Sequence, residues 1–420
     1  MKPIQKGPEM DRRTLLKLLS ATALVGCAPS QTESRLNVVV VGAGIVGASI
    51  AYHLAKAGVR VTVIDKTGPA SHASRGTFAW INATWAKQPR SYHTINQQSV
   101  SGWRELQAEL SLPVRWGGSL EWFDSAERER KLVSQIAEQA AWGEDARMVG
   151  AAELAAMEPL VDFGGASQVA FSGQAAFSGN DGAVDPVVAT NAVLAAATKM
   201  GAVVKAPCEL TGVSLSAGRL TSVDTSLGRI KTDRLVLATG AAPNAAEKFA
   251  DTNLPQRTTP GIIAITKPMP PILNSIIAAP GVHMHQRLDG SIVLGEQDGA
   301  PDTQAHAMRL EGRPNDYPER WIAEEHAGRM LAVAEQFAPT IAGAEIDDVY
   351  IGWRPLPLDG HPVIGASPNR PDVYLAVMHS GVTLAPIVGQ LAAHELVGGE
   401  AAPGLEEYRP GRNFKLVKRY

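Results

Sequence analysis

The stretch Gly42-Ala43-Gly44-Ile45-Val46-Gly47 constrains this chain more than any other, because of what surrounds it. Leu36-Asn37-Val38-Val39-Val40-Val41 precedes it and reads as a buried parallel strand. Ile45 to Ala57 carries apolar residues at helical spacing and stops at Gly58. Val59-Arg60-Val61-Thr62-Val63-Ile64 then reads as a second strand, ending at Asp65. Strand, glycine turn, helix, strand and acid in this order form the dinucleotide-binding unit. Gly42 permits the tight turn, Gly44 lets a pyrophosphate approach the backbone, and Gly47 lets helix and strand pack closely. The helix start, with Ile45 and Val46, offers amides and a positive dipole end to phosphate. Asp65 stands where a ribose hydroxyl needs an acceptor. An ordinary βαβ turn accounts for the glycines alone, but not for strand, helix and acid in register.

Ahead of this unit the sequence reads as an address. Arg12-Arg13 precedes Leu15, Leu16, Leu18 and Leu19, then small residues ending Leu24-Val25-Gly26-Cys27. A basic start, a short apolar run and small residues describe an export signal, too short to span a bilayer. Asp11 to Lys17 has the twin-arginine pattern, with Met10 directly before it as an alternative start. Leu24 to Cys27 resembles a lipobox, which would lipidate Cys27 and anchor the chain at a membrane in the periplasm or cell envelope. A disordered basic tail is the plainer reading of the same residues. Twin-arginine export suits a protein that folds around its cofactor before leaving the cytoplasm.

Charge and cysteine usage narrow the rest. The formal charge of −3 over 420 residues includes a leader of +3, so the remainder is near −6. That balance gives no footprint for nucleic acid. Only Cys27 and Cys208 are present, so lipidation of the first leaves no internal disulfide. His283 and His285 fall on one face of a strand, but without carboxylate or cysteine partners they read as pocket or surface histidines rather than metal ligands.

The order of elements favours a flavin dinucleotide over a nicotinamide one. After Asp65 the strand-helix alternation stops. Ser71 to Gly76 is small and polar, Phe78 to Trp85 is aromatic-rich, and helices are expected over Tyr92–Leu110 and Arg128–Trp142. Dinucleotide-domain character resumes at Gly182-Ala183-Val184-Asp185-Pro186, where Pro186 opens a helix to Met200. Ala202–Lys205 reads as a further strand, and Arg234-Leu235-Val236-Leu237-Ala238-Thr239-Gly240 as another buried strand ending in a glycine turn. An insertion over Pro260–Glu345 holds a hairpin at Leu288-Asp289-Gly290 and a long helix over Tyr317–Ala338. Asp372–Val377 is a strand leading through His379-Ser380-Gly381 to a helix over Ala385–Val397.

With these residues in view, the chain resembles the FAD-dependent amine and amino-acid oxidoreductases, the group of D-amino-acid oxidase, glycine oxidase, sarcosine oxidase and D-amino-acid dehydrogenase. The resemblance covers most of residues 37–400 and rests on Val41–Gly47 with Asp65, Ser71–Arg75, Gly182–Pro186, Leu237–Gly240, Gly352-Trp353-Arg354-Pro355 with Asp359-Gly360, and His379–Pro386. It implies an α/β fold in which a Rossmann-like FAD-binding domain is interrupted by an α+β substrate domain with a mainly antiparallel sheet. The expected division is an export signal over 1–27 and a linker over 28–36. The FAD-binding domain takes 37–110, 180–260 and 345–400, the substrate domain 111–179 and 261–344, and a tail 401–420. Asp65 is a shorter variant of the family's usual glutamate, and Thr383 stands where the late motif often has a second glycine.

The resemblance assigns residues as follows. Gly42, Gly44, Ile45, Val46, Gly47, Asp65 and Lys66 hold the ADP half of FAD. Ser74 and Arg75 run beside the pyrophosphate and flavin, Leu210 offers a backbone contact to adenine, and Ala238 and Gly240 line the dinucleotide. Gly381, Val382 and Thr383 face the pyrimidine end, where backbone donors stabilise negative charge. Arg354 binds the substrate carboxylate, since its planar fork suits a carboxylate and its apolar surround demands an anion. The alternative is an ion pair with Asp347, Asp348 or Asp359. His379 either approaches the flavin or substrate or closes its own loop. His72 lies where some family members attach flavin covalently. Trp80, Trp85, Trp116 and Trp122 are core residues by default.

The implied reaction is hydride transfer from a carbon bearing an amine to flavin N5, giving an imine that hydrolyses. D-amino acids, glycine, sarcosine-like amines and cyclic imino acids all fit the anchor, with oxygen or a quinone or other carrier as acceptor. A nicotinamide-linked dehydrogenase and a non-catalytic flavin-fold lipoprotein binding a small acid or a partner are the competing readings.

Overall fold

Alternating apolar runs and large insertions resolve into two principal sheets. The computed structural model describes residues 35–83, 87–164, 171–242, 244–296, 314–317 and 319–417. The expected leader, with Arg12, Arg13 and Cys27, lies outside these residues, as does Trp85.

Asn37–Val41 pairs in parallel with Arg60–Ile64 on one side and Arg234–Leu237 on the other. The full order of this six-stranded sheet is Val363–Ala366, Val373–Val377, Arg234–Leu237, Asn37–Val41, Arg60–Ile64 and Val203–Lys205. All pairs are parallel except the edge pair of Val363–Ala366 with Val373–Val377. A parallel sheet must be covered on both faces, which explains why its strands are apolar runs rather than alternating ones. Helices Ile45–Lys56, Arg90–Leu110, Pro186–Lys199 and Gly381–Gly398 supply one cover, with Tyr52, Trp103 and Leu384 in the shared core. A three-stranded meander, Leu210–Ser216, Arg219–Thr225 and Gly228–Lys231, packs on Val39, Leu235 and Leu237 from the other side.

The second principal sheet has eight strands in the order Ile346–Pro357, Gln256–Thr266, Ile292–Glu296, Val282–Gln286, Ile276–Ala279, Ser119–Glu121, Gln174–Ser178 and Ala146–Gly150. Only the pair Ile276–Ala279 with Ser119–Glu121 is parallel. Helix Arg320–Phe337 packs Ala327, Met330 and Ala334 against Ile262, Met284 and Leu294. The opposite face of this sheet carries the sequence-remote residues of the site.

Several boundaries differ from the sequence expectation. A division at 344/345 would assign Ile346–Pro357 to the dinucleotide part, yet this strand hydrogen-bonds along Gln256–Thr266 in the larger sheet. The helix expected from Tyr317 begins at Arg320. The last long helix begins at Gly381, four residues before the expected Ala385, and contains Pro386. A proline there removes one amide and frees the carbonyl of Val382. The Trp103 indole donates to that carbonyl at 2.9 Å, which satisfies it and lets the helix continue. Asp185 caps helix Pro186–Lys199 by accepting from the amides of Val187 and Val188, both at 2.9 Å.

Candidate functional site

One cavity of about 1630 Å³ is lined by residues of both principal sheets. From the dinucleotide part it is lined by Gly42, Gly44, Ile45, Val46, Asp65, Lys66, Ser74, Leu210, Ala238 and Gly240; from the larger sheet by Gly261, Ile263, His283, Gly295 and Arg354; His379, Gly381, Val382 and Thr383 also line it.

The glycine turn is sterically compelled. Gly42 has φ +107°, and a Cβ there would lie 2.3 Å from the Ala238 carbonyl oxygen. A Cβ on Gly47 would lie 1.9 Å from the Gly42 oxygen. Helix Ile45–Lys56 has no side-chain cap from Gly44; instead Ile45 N–H donates to Ser74 Oγ at 3.0 Å. An open helix start beside a backbone with no room for side chains fits a pyrophosphate. Asp65 works harder than its sequence position suggests. Its Oδ2 accepts from Ala43 N–H at 2.8 Å, and its Oδ1 from Thr67 and Gly68 N–H at 2.8 and 2.9 Å. A carboxylate has about four acceptor sites, so it pins the turn and still has capacity for a ribose hydroxyl. Cavity size, turn and acid together fit a dinucleotide.

Arg75 departs from its expected role. Its guanidinium pairs with Asp348 at 2.7 Å and lies 4.4 Å from the Tyr350 ring centroid, so its side chain joins the larger sheet rather than lining the cavity. His72 lines the cavity with both ring nitrogens engaged, Nε2 with Thr67 Oγ1 at 3.0 Å and Nδ1 with Asn315 Oδ1 at 2.9 Å. Asn315 in turn donates to the Ile351 carbonyl at 3.0 Å. The dinucleotide loop 71–76 is thereby tied to strand Ile346–Pro357. The two backbones meet at Gly76 and Gly352, where a Cβ on Gly352 would fall 1.8 Å from the Gly76 oxygen.

Arg354 sits on that same strand, opposite Thr259. It donates through Nη2 to the Pro260 carbonyl at 2.8 Å and lies across Gly261, whose built Cβ would be 3.6 Å from its Nε. Two of the competing acids are committed elsewhere, Asp348 to Arg75 and Asp359 to Arg412 at 2.8 Å. Phe78 packs edge-on against His285 at 4.7 Å between centroids, and Trp80 against His283 at 5.7 Å. His285 bonds the Phe78 carbonyl through Nε2 at 2.8 Å, and burial pushes its pKa down to about 3, so it stays neutral. His283 and His285 thus pack against aromatic rings. Among the described residues no three or more His, Cys, Asp or Glu gather as a metal site. Thr383 Oγ1 accepts from Asn82 N–H and donates to the Trp80 carbonyl, both at 3.1 Å.

Of the tryptophans, Trp80 lines the cavity, Trp122 is buried in the core of the larger sheet, and Trp116 packs against the other core. Sequence reasoning left out Asn82, Phe78 and Gly261. The aromatic-rich stretch Phe78–Trp85 was the available signal for the first two; nothing local marks Gly261.

A parallel sheet bearing a dinucleotide turn, closed by an antiparallel sheet bearing an arginine, defines a dinucleotide-dependent oxidoreductase. The chain belongs to the DAO family of FAD-dependent oxidoreductases, whose model matches residues 37–395. It is 26% identical over 384 residues to glycine oxidase of Bacillus licheniformis, covering 87% of this chain and 94% of that one. It is 24% identical over 404 residues to mitochondrial dimethylglycine dehydrogenase of Mus musculus, covering 92% of this chain and 45% of that protein. L-proline dehydrogenase from P. horikoshii has a similar structure, with TM-score 0.76 and 25% identity over 90% of this chain and 97% of that one. Members of the family bind FAD, and the chain is an FAD-dependent amino-acid or amine oxidoreductase. This displaces the nicotinamide-linked and non-catalytic readings. Among the described residues no helix is long and apolar enough to cross a membrane.

Proposed function

We propose that this chain oxidises the C–N bond of a small amine or amino acid carrying a carboxylate, with FAD held along the glycine turn. The observation that carries the reading is that Arg354 and the turn Gly42–Gly47 open into one cavity. Gly42, Gly44, Ile45 and Val46 would receive the pyrophosphate, Asp65 the ribose, and Ala238, Gly240 and Leu210 the rest of the ADP half, with Gly47 off the cavity packing the helix onto the turn. Gly381, Val382 and Thr383 would offer the helix start to the pyrimidine edge, where negative charge develops.

Bound FAD supplies a hydride acceptor at N5. The residues of the chain do the remainder. Arg354 takes the substrate carboxylate in a charge-assisted, bidentate pair and so orients the Cα–H. Phe78 and Trp80 exclude water from that end of the cavity. With the carboxylate held by Arg354, a neutral amine would keep its lone pair available for C=N bond formation, and water would hydrolyse the imine after release. Glycine, dimethylglycine and L-proline, named in the relatives, share a carboxylate next to the amine carbon, which supports the class.

The test is anaerobic mixing of the purified protein with D- and L-amino acids, glycine, sarcosine and proline while the visible flavin band is followed. Bleaching by one class supports the reading, and admitting air then separates oxygen from a carrier as acceptor. A flavin-free protein that takes up no added FAD overturns it. We further propose that residues 1–27 direct export and that Cys27 is lipidated. Mass spectrometry of the N-terminus from membranes tests this, and a chain retaining Met1 refutes it.

A further inference from the structure

Asn82 is a polar side chain only 7% exposed, and it lines the cavity. The Lys87 ammonium donates to its carbonyl oxygen and to its Oδ1, each at 2.8 Å, and to Asn96 Oδ1 at 3.1 Å. An ammonium has donors only. The Asn82 amide must therefore turn its oxygen to Lys87 and its NH2 group away, a choice that is otherwise ambiguous for an asparagine. That NH2 group makes no hydrogen bond to any described residue. The backbone is fixed as well, since Asn82 N–H donates to Thr383 Oγ1 at 3.1 Å. Thr383 is the third residue of helix Gly381–Gly398.

A donor that faces a cavity from an otherwise buried residue, with no partner among the described residues, is placed to be received by a ligand acceptor. Here the side-chain amide is polarised by an ammonium on its oxygen side, and the residue's backbone N–H is bonded to the first turn of a helix. All three features favour an electron-rich acceptor. We propose that Asn82 donates a hydrogen bond to the polar edge of the bound flavin, and that Lys87 acts through it as a positioning residue, raising the cofactor's electron affinity. The inference rests on FAD occupying this cavity. Its measurements report on the bound cofactor itself, so a failure of FAD binding is distinguishable from a failure of the Asn82 assignment.

The experiment compares Asn82→Leu, Lys87→Met and Lys87→Arg with the unaltered holoenzyme. FAD content and Tm are measured first, then reduction potential against reference dyes, and sulfite affinity. Asn82→Leu and Lys87→Met are expected to retain FAD and to weaken sulfite binding about tenfold or more. Their potential should fall by about 30 mV, the equivalent of tenfold for a two-electron couple. Lys87→Arg, which keeps the charge, should recover most of both. Sulfite affinity and potential unchanged within twofold in the two neutralised variants would overturn the proposal. A rise in substrate KM without a change in potential would likewise overturn it, assigning the donor to the substrate. Should Asn82→Leu fail to fold, the Lys87 pair carries the same comparison.

Discussion

Arg354 reaches the cavity by lying across Gly261, where a methyl group would meet the guanidinium stem at van der Waals contact, 3.6 Å from Nε. Replacing Arg354 by Met removes a charge-assisted pair worth about 3 kcal/mol. The expected result is a KM for an amino-acid substrate raised about a hundredfold, with FAD content unchanged. Equal turnover and KM in the variant would refute the anchor. At this scale the sequence was legible wherever the demand was local. Gly42 and Gly47 are dictated by their own backbones, and the apolar surround of Arg354 is written beside it. What was hidden depends on distant partners. Arg75 follows Ser74 in a motif, yet its partner Asp348 lies 273 residues away and turns it from the cavity. Asn82 has no motif, and its orientation comes from Lys87.

Helix starts show the same division between local and remote causes. Asp185 before Pro186 is readable as a cap, and the structure gives it two amides and an ion pair with Arg287 at 2.9 Å. Asp185→Ala should lower unfolding free energy by about 1–3 kcal/mol in urea titrations. Asp185→Asn should recover the capping part, and no difference between the two would refute the division. By contrast, the sequence places Pro386 at the start of a helix from Ala385, and only Trp103, from another helix, explains why the helix begins a turn earlier and runs through it. Trp103→Phe keeps the ring and removes the donor. It should cost about 1–3 kcal/mol through the unsatisfied Val382 carbonyl, measured as a drop in the urea midpoint with no change in slope.

For the whole molecule, the order of apolar runs located the dinucleotide unit and the family resemblance implied the two-sheet class, but neither gave strand order, because partners such as Gln256–Thr266 and Ile346–Pro357 are joined only by the folded chain. Stability against pH is a whole-chain property. Burial lowers the pKa of His53 to about 4 and of His285 to about 3, against an ordinary value of 6.5. Both rings are neutral when folded and bind a proton more readily when unfolded. Their contribution is full above pH 6.5 and is lost as pH falls toward 4 and 3. Each ring should steepen that loss by about 1.4 kcal/mol per pH unit. Urea midpoints between pH 7 and 4 measure it, and His285→Gln should flatten the slope; an unchanged slope would refute the assignment. Gly352→Ala should cost about 3 kcal/mol or more, since its Cβ has nowhere to go.

That backbone crossing at Gly76 and Gly352 makes the site a gauge. The loop that follows the glycine turn and the strand that carries Arg354 touch without intervening side chains, and Tyr350 and Asn315 fasten them on either side. The spacing from Arg354 to the glycine turn is set by peptide groups in contact, which do not stretch to suit a longer molecule. If Arg354 anchors a carboxylate as proposed, substrates would be sorted by how many bonds separate their acid from their oxidisable carbon. On that reading, amines one carbon from the carboxylate would register with the gauge, and their β-homologues would overrun it by a carbon.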